Sequence, residues 1–236
     1  MNTPVLAVSL DLDNTLWDTP PVLLQAEATL RQWLSCHAPR VPAQWDDQAL
    51  ALLRQAVVRE APSQSHDMTF IRLESLRRVM TQTGYPEAMA QEAFDVFLHA
   101  RNQIILYPEV EQALAALAAR VPLFAVTNGN ACVKRVGIGH YFTASIDAAT
   151  VGAAKPDPRV YAALLGRAQL PAAAILHVGD DAFADVTGAR AAGIRSVWMN
   201  RTGGLWPAEL VPADHEVTTL SAVVELVDRL GVEPAE

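Results

Sequence analysis

Residues 5–18 read VLAVSLDLDNTLWD, and this stretch decides the fold. Val5–Leu10 is an almost wholly apolar run of strand length. Such a run fits a strand covered on both faces, as in a parallel sheet. It leads straight into two carboxylates, Asp11 and Asp13. In extended chain, residues i and i+2 point to the same side. Two bare carboxylates placed so repel, and one tends to keep a proton. Inside a protein they are costly unless paired or metal-bound. A core strand that ends this way calls for a compensating cation.

Further along, the chain alternates. After Pro108, helices are expected over Val110–Ala119, Arg159–Ala168, Ala184–Ala192 and Leu220–Leu230, and strands over Pro122–Val126, Ala144–Ile146, Ala173–Val178 and Arg195–Met199. That order argues for a parallel sheet flanked by helices, with right-handed crossovers. From Pro21 to Ile105 the pattern is helical throughout. Leu23, Ala26, Leu30 and Trp33 recur at helical spacing, as do Leu50, Leu53 and Val57 within Asp46–Glu60. Phe70, Leu73, Leu76 and Met80 follow within Asp67–Thr83, then Ala90, Phe94, Phe97 and Arg101. Prolines at 39, 42, 62 and 86 punctuate these helices. The expected fold class is α/β: a parallel-sheet core from residues 1–16 and 106–236, with an all-helical insertion over 17–105.

Composition narrows the function classes. The chain has 236 residues, of which 51% are hydrophobic, enough for a sizeable core. No apolar run is long enough for a membrane span. Net charge is −8 with no basic cluster, so nucleic acid is not an expected partner. Residues 1–4 carry no basic segment before the apolar run, so a secretion signal is not expected. Two cysteines, Cys36 and Cys132, make no disulfide framework and fit a reducing cytoplasm. Of the 18 basic residues only Lys134 and Lys155 are lysines. Lysine and arginine differ in shape and hydration, so a lysine in an arginine-rich chain merits attention.

The polar clusters fall at one kind of place. Asp11-Asp13, Thr127-Asn128 and Asp180-Asp181 each follow the carboxyl end of an apolar strand. Ligands of open α/β sheets bind there. Asp11 and Asp13, with Asp180, Asp181 and Asp185, supply hard oxygen donors. Mg2+ favours one or two carboxylates plus water and substrate phosphate. Thr127 and the backbone after it offer donors to a phosphoryl group, and Lys155 offers a compact cation. A carboxylate can attack phosphorus, while a second carboxyl protonates the leaving alcohol. Each feature alone is bland: a D-x-D pair, two turns, a solvated lysine. Their order and shared position carry the weight. His177, inside an apolar strand, reads as a satisfied core histidine, Trp198 as core, and Asp67 as a helix cap.

Asp11-Leu12-Asp13-Asn14-Thr15-Leu16, Thr127-Asn128, Lys155-Pro156, and Gly179-Asp180-Asp181 with Asp185 resemble the four motifs of the haloacid dehalogenase superfamily. That resemblance implies a Rossmann-like core with a helical cap. It implies Asp11 as nucleophile, Asp13 as general acid/base, and Thr127, Asn128 and Lys155 as the phosphate-binding set. It also implies Mg2+ on Asp11, the Asp13 carbonyl and Asp180, with Asp181 and Asp185 supporting from behind. Members that release halide lack the second aspartate, so Asp13 favours a phosphatase, because an alkoxide needs a proton and a halide does not. In the insertion, Asp18-Thr19-Pro20-Pro21-Val22, Arg54-Gln55-Ala56-Val57 and His66-Asp67-Met68-Thr69 are similar to bacterial members acting on 5-amino-6-(5-phospho-D-ribitylamino)uracil and FMN, in riboflavin synthesis. The implied partner is a small phosphorylated metabolite of that kind, for a monomer or homodimer. His66 and Arg72 are the candidate substrate contacts of the insertion. A broad-range metabolite phosphatase, a 2-haloacid dehalogenase, a sugar-phosphate mutase and a catalytically silent binding module remain alternatives.

Overall fold

The computed structural model describes residues 3–231. The chain divides into two compact units, one of Met1–Asp18 with Ile105–Glu236 and one of Thr19–Ile104.

The first unit is built on six strands: β1 (Ala7–Leu10), β2 (Leu123–Thr127), β3 (Ala144–Asp147), β4 (Ile175–Gly179), β5 (Arg195–Met199) and β6 (His215–Val217). They pair in the order β3-β2-β1-β4-β5-β6, parallel throughout. Every residue of β1, β2 and β4 is buried, as their largely apolar runs suggest, and Ser9, Thr127 and His177 are buried with them. The chain leaves β1 for β2 and β3 on one side, then returns to β4 on the other. Loops diverge at such a reversal and leave a crevice beyond the strand ends. Leu10 stands opposite Ala125 on β2 and Val178 on β4. Asp11, Thr127 and Asp180 therefore leave their strands at nearly one level.

Helices α1 (Thr19–His37), α2 (Arg40–Gln44), α3 (Asp47–Glu60), α4 (Met68–Gln82) and α5 (Met89–Arg101) make up the second unit. Among its described residues there is no strand, as the sequence pattern requires. Asp46 caps α3 through the Ala49 N–H, and Asp67 caps α4 through the N–H groups of Thr69 and Phe70. Pro20 and Pro21 fall in the first turn of α1, where no intrahelical N–H is lost. The buried row of α1 is Val22, Ala26, Leu30 and Leu34, the last three packed with Met80, Phe94 and Phe97. Leu23, expected on that row, is 38% exposed.

Helices α6 (Val110–Ala118), α7 (Val133–Val136), α8 (Ala148–Val151), α9 (Pro158–Ala168), α10 (Gly188–Ala191) and α11 (Leu220–Leu230) complete the first unit. Val160, Tyr161 and Leu164 of α9 pack with Phe124, Val126, Ile146 and Ile175 of the sheet. Two segments differ from the sequence expectation. Strand β4 begins at Ile175, because Ala172–Ala174 form a 3-10 turn. The helix expected over Ala184–Ala192 is instead a widened π turn, Ala182–Thr187, followed by α10. Its cause is local: the Asp181 carboxylate accepts from the N–H groups of Phe183 and Ala184, and the Asp181 carbonyl accepts from both Asp185 and Val186. Such turns recur at functional sites. Strand β6 had no sequence signal, being three residues of mixed polarity at the sheet edge.

Candidate active site

Beyond the carboxyl ends of β1, β2 and β4 lies a cavity of about 170 Å³. Asp11, Asp13, Asn14, Thr127, Asn128 and Gly129 line it, with Lys155, Asp180, Asp181 and Asp185. The core residues singled out from sequence thus meet in one place, though Asp11 and Lys155 are 144 positions apart.

Lys155 is its centre. The Nζ donates to Asp11 Oδ1 at 2.6 Å, to Asp185 Oδ1 at 2.6 Å and to the Val126 carbonyl at 2.9 Å. That uses all three ammonium protons. Burial opposes the charge, but Asp11 and Asp185 outweigh it and push the ammonium pKa up. One ammonium neutralises only one of two carboxylates. Burial also raises Asp185, yet Lys155 and His177 hold it below the usual carboxylate range. Asp11 is left as the surplus charge. Burial pushes its pKa up, with Lys155 opposing and Asp185 and Asp180 adding to the rise. Asp180 is pushed up to about 6 by burial and by Asp185.

These are the conditions under which a hard cation fits. Carboxylate oxygens of Asp11, Asp180 and Asp185 lie within 4.8 Å of one another. Asp185 is spent on Lys155 and His177, so Asp11 and Asp180 are the donors that an oxygen-seeking cation such as Mg2+ would take. The carboxylate of Asp13 is not in that group.

The remaining side chains are held as follows. Asp13 Oδ1 accepts from the indole N–H of Trp17 at 2.9 Å, and Asp11 Oδ2 from the hydroxyl of Thr15 at 3.1 Å. Trp17 is fully buried, so the Asp13 carboxylate is held by a rigid donor. Between them Asn14 adopts φ 58°, a conformation that Asn tolerates better than most residues. Its side chain bonds Asp180. Thr127 Oγ1 accepts from the Gly129 N–H at 2.9 Å and keeps its own proton to donate. Asn128 is engaged twice by the Lys155 backbone, accepting its N–H at 2.7 Å and donating to its carbonyl at 3.0 Å. Its amide therefore fixes Lys155 rather than pointing at a phosphoryl group. Asp181 caps the π turn, and its own N–H supports Asp185 Oδ2 at 3.1 Å. Trp198 is a core residue that also donates to the Asp180 carbonyl at 2.8 Å.

His66 and Arg72 belong to the helical unit. Arg72 donates to Glu27 at 2.8 Å, and its guanidinium lies 3.5 Å from the centre of the Phe97 ring. Burial lowers its pKa, with Glu27 opposing. Half-buried His66 precedes α4. Sequence reasoning missed Trp17, Asn128 as a brace, and His177, whose Nε2 lies 3.1 Å from Asp185 Oδ1. The Asn128–Lys155 and Ser9–His177 contacts have no local signature, because they join residues 27 and 168 positions apart, whereas Trp17 lies only four residues from Asp13.

The chain is similar to known proteins. The chain is 32% identical over 231 residues to the 5-amino-6-(5-phospho-D-ribitylamino)uracil phosphatase YigB of Escherichia coli K12, covering 94% of this chain and 96% of that one. It is 36% identical over 139 residues to a phosphoserine phosphatase of Thermus thermophilus, covering 56% and 55%. The crystal structure of a 2-haloacid dehalogenase from Pseudomonas syringae pv. tomato DC3000 matches it with a TM-score of 0.90 at 39% identity, covering 95% and 99%. Both phosphatases and a dehalogenase are thus among its relatives. The family model described as hydrolase, haloacid dehalogenase-like hydrolase, matches residues 5–193, a span that holds every cavity residue named above. On that match this enzyme belongs to the haloacid dehalogenase-like hydrolases.

Proposed function

We propose that this hydrolase is a Mg2+-dependent phosphatase that forms an aspartyl phosphate on Asp11. The observation that carries the reading is the paired carboxylate site: Asp11 against the Lys155 ammonium at 2.6 Å, and Asp13 two residues on, held by Trp17. An Asp11 oxygen attacks phosphorus as the bond to the leaving oxygen breaks. The Asp13 carboxyl gives that oxygen its proton. Asp13 then takes a proton from water, the water oxygen attacks phosphorus, and the bond to Asp11 breaks to release orthophosphate. The Lys155 ammonium, held beside Asp11, stabilises the transferring group by its charge, and the Thr127 hydroxyl donates to it. Mg2+ held by Asp11, the Asp13 carbonyl and Asp180 would neutralise charge between carboxylate and phosphoryl oxygens.

The substrate reading is 5-amino-6-(5-phospho-D-ribitylamino)uracil or FMN, supported by the E. coli relative that matches along nearly its whole length. A broad range of small phosphate esters is the alternative. Residues 1–16 and 106–236 would be the catalytic core and 17–105 the cap, with His66 and Arg72 turned toward substrate. For Arg72 this requires exchanging its bond to Glu27. Among the described residues no helix is long and apolar enough to cross a membrane. The test is phosphate release with Mg2+ or EDTA across both named substrates, nucleotides and sugar phosphates. Mg2+-dependent release peaking on the first two supports the full reading, and even release across all supports the broad one.

A 2-haloacid dehalogenase is the second reading, favoured by the 39% identical structure. Asp13 speaks against it. Halide release from 2-chloropropionate without phosphate release from any ester would establish it. Asp13→Ala separates the two further. In the first turnover it should slow release of the alcohol from an alkyl phosphate by ~10²–10⁴-fold, and of nitrophenolate from p-nitrophenyl phosphate by much less, since nitrophenolate leaves unprotonated. Equal losses on both esters would remove Asp13 from the acid role.

Metal addition has an expected signature in stability. Asp11 and Asp180 titrate above the unfolded carboxylate value, Asp180 at about 6. Between about pH 4 and 6 the folded state then holds more protons than the unfolded one, so this cluster's contribution falls as pH rises. A cation that binds only the folded site reverses the loss. Millimolar Mg2+ should raise the melting temperature by roughly 5–10 degrees at pH 7.5, from about 2.7 kcal/mol at a hundredfold excess over Kd, and by little at pH 5. A melting temperature indifferent to Mg2+ at both pH values would rule out this site as the metal's.

A further inference from the structure

The sheet face that carries Asp11 also carries Ser9, two residues back, and on the adjacent strand His177 and Gly179. Ser9 stands opposite His177 in the β1–β4 register. Gly179 leaves the space into which Asp185 folds: a Cβ there would lie 2.2 Å from Asp185 Cγ. The result is an unbroken polar chain inside the protein. Ser9 Oγ meets His177 Nδ1 at 2.8 Å, and His177 Nε2 meets Asp185 Oδ1 at 3.1 Å. The same Asp185 oxygen takes the Lys155 ammonium, which also holds Asp11. All five side chains are buried.

Chemistry fixes the protons. The ionised Asp185 carboxylate only accepts, so His177 Nε2 carries hydrogen. Burial keeps His177 neutral, so Nδ1 offers a lone pair and the Ser9 hydroxyl donates to it. Tyr161 buttresses the arrangement, its ring edge-on to His177 at 5.5 Å and its hydroxyl donating to the Ala184 carbonyl at 2.7 Å. Among the described residues, the acceptor that His177 Nε2–H meets is the carboxylate that places Lys155.

We propose that His177 is a positioning residue for hydrolysis, a neutral Nε2–H donor that anchors Asp185 so that the Lys155 ammonium stays shared between Asp185 and Asp11. The anchored oxygen cannot swing toward the cavity and draw Lys155 off the nucleophile. Its kinetic consequence rests on the phosphatase reading. A histidine that merely filled the core would be replaceable by an apolar residue of similar volume.

The experiment compares full-length His177→Leu and His177→Gln. Leucine fills the space without a donor. Glutamine places an amide N–H as many bonds from the backbone as Nε2. With p-nitrophenyl phosphate and Mg2+, His177→Leu should lower kcat by about 10–100-fold with KM changed by less than about threefold. His177→Gln should recover most of that loss. Unchanged kcat in His177→Leu, or equal losses in both variants that follow their melting temperatures, would overturn the proposal. Wild-type protein that releases no phosphate would instead overturn the phosphatase reading. The anchor is then decided by the imidazole 15N shifts of the wild type: a neutral Nε2–H tautomer at pH 7 upholds it, and an Nδ1–H tautomer or an imidazolium refutes it.

Discussion

Asp11→Asn should abolish turnover, by ~10⁴-fold or more, and leave the protein as stable as before or more so. The catalytic loss follows from replacing the attacking oxygen with a carboxamide, which cannot form the aspartyl phosphate; removal of a nucleophile elsewhere costs up to about 10⁶-fold. The stability result is the less obvious half. Lys155 bonds two buried carboxylates, and Asp11 is the one whose charge burial opposes most openly. Asparagine has nearly the same shape, keeps an oxygen for the Lys155 ammonium, turns its NH2 to the Thr15 hydroxyl, which can accept as well as donate, and removes the surplus charge. A balanced Lys155–Asp185 pair remains. Steady-state rates and thermal melts of metal-free protein at pH 7.5 test both halves. The variant should also lose most of the melting shift that Mg2+ gives the wild type, since one of two metal carboxylates is gone. Wild-type rates in Asp11→Asn would end the covalent mechanism.

Lys155→Met should be the most damaging single change to the fold of the core. It removes the ammonium that joins Asp11 and Asp185 and leaves the Val126 carbonyl without that donor. Removing one partner from a buried ion pair costs about 3–5 kcal/mol, because the other charge stays buried. Here two carboxylates are stranded, so at least one must take up a proton to remain inside. The folded state then binds protons that the unfolded chain releases above about pH 4, and stability must fall as pH rises. The variant should therefore be more stable at pH 5 than at pH 8. Wild-type Lys155 behaves oppositely: its pKa is raised, so its contribution persists through neutral and mildly alkaline pH and is lost only beyond the ordinary lysine range. Urea unfolding at both pH values measures the difference. A Lys155→Met protein no less stable than wild type at pH 8 would contradict the charge balance drawn here.

These expectations mark where sequence reasoning stopped. The alternation of apolar runs and helical periods determined the α/β class, the all-helical insertion and the strand ends at which Asp11, Thr127 and Asp180 appear. Such patterns are legible because burial imposes a period of two or 3.6 on each element separately. The division of labour among the polar residues was not legible. Asn128 and Asp181 carry side chains suited to a phosphate or a metal, yet the fold turns them to the Lys155 backbone and to the π turn. His177 read as a satisfied core histidine, and it is buried and hydrogen-bonded at both ring nitrogens, but the sequence did not say to what. Only the β1–β4 register and the gap at Gly179 bring it to Asp185. Sequence periodicity says which way a side chain points, but hydrogen-bond partners across 168 residues, as for Ser9 and His177, exist only once the sheet has paired. The choice of chemistry was thus written in residue types, and the charge balance that makes it work was decided by the tertiary structure.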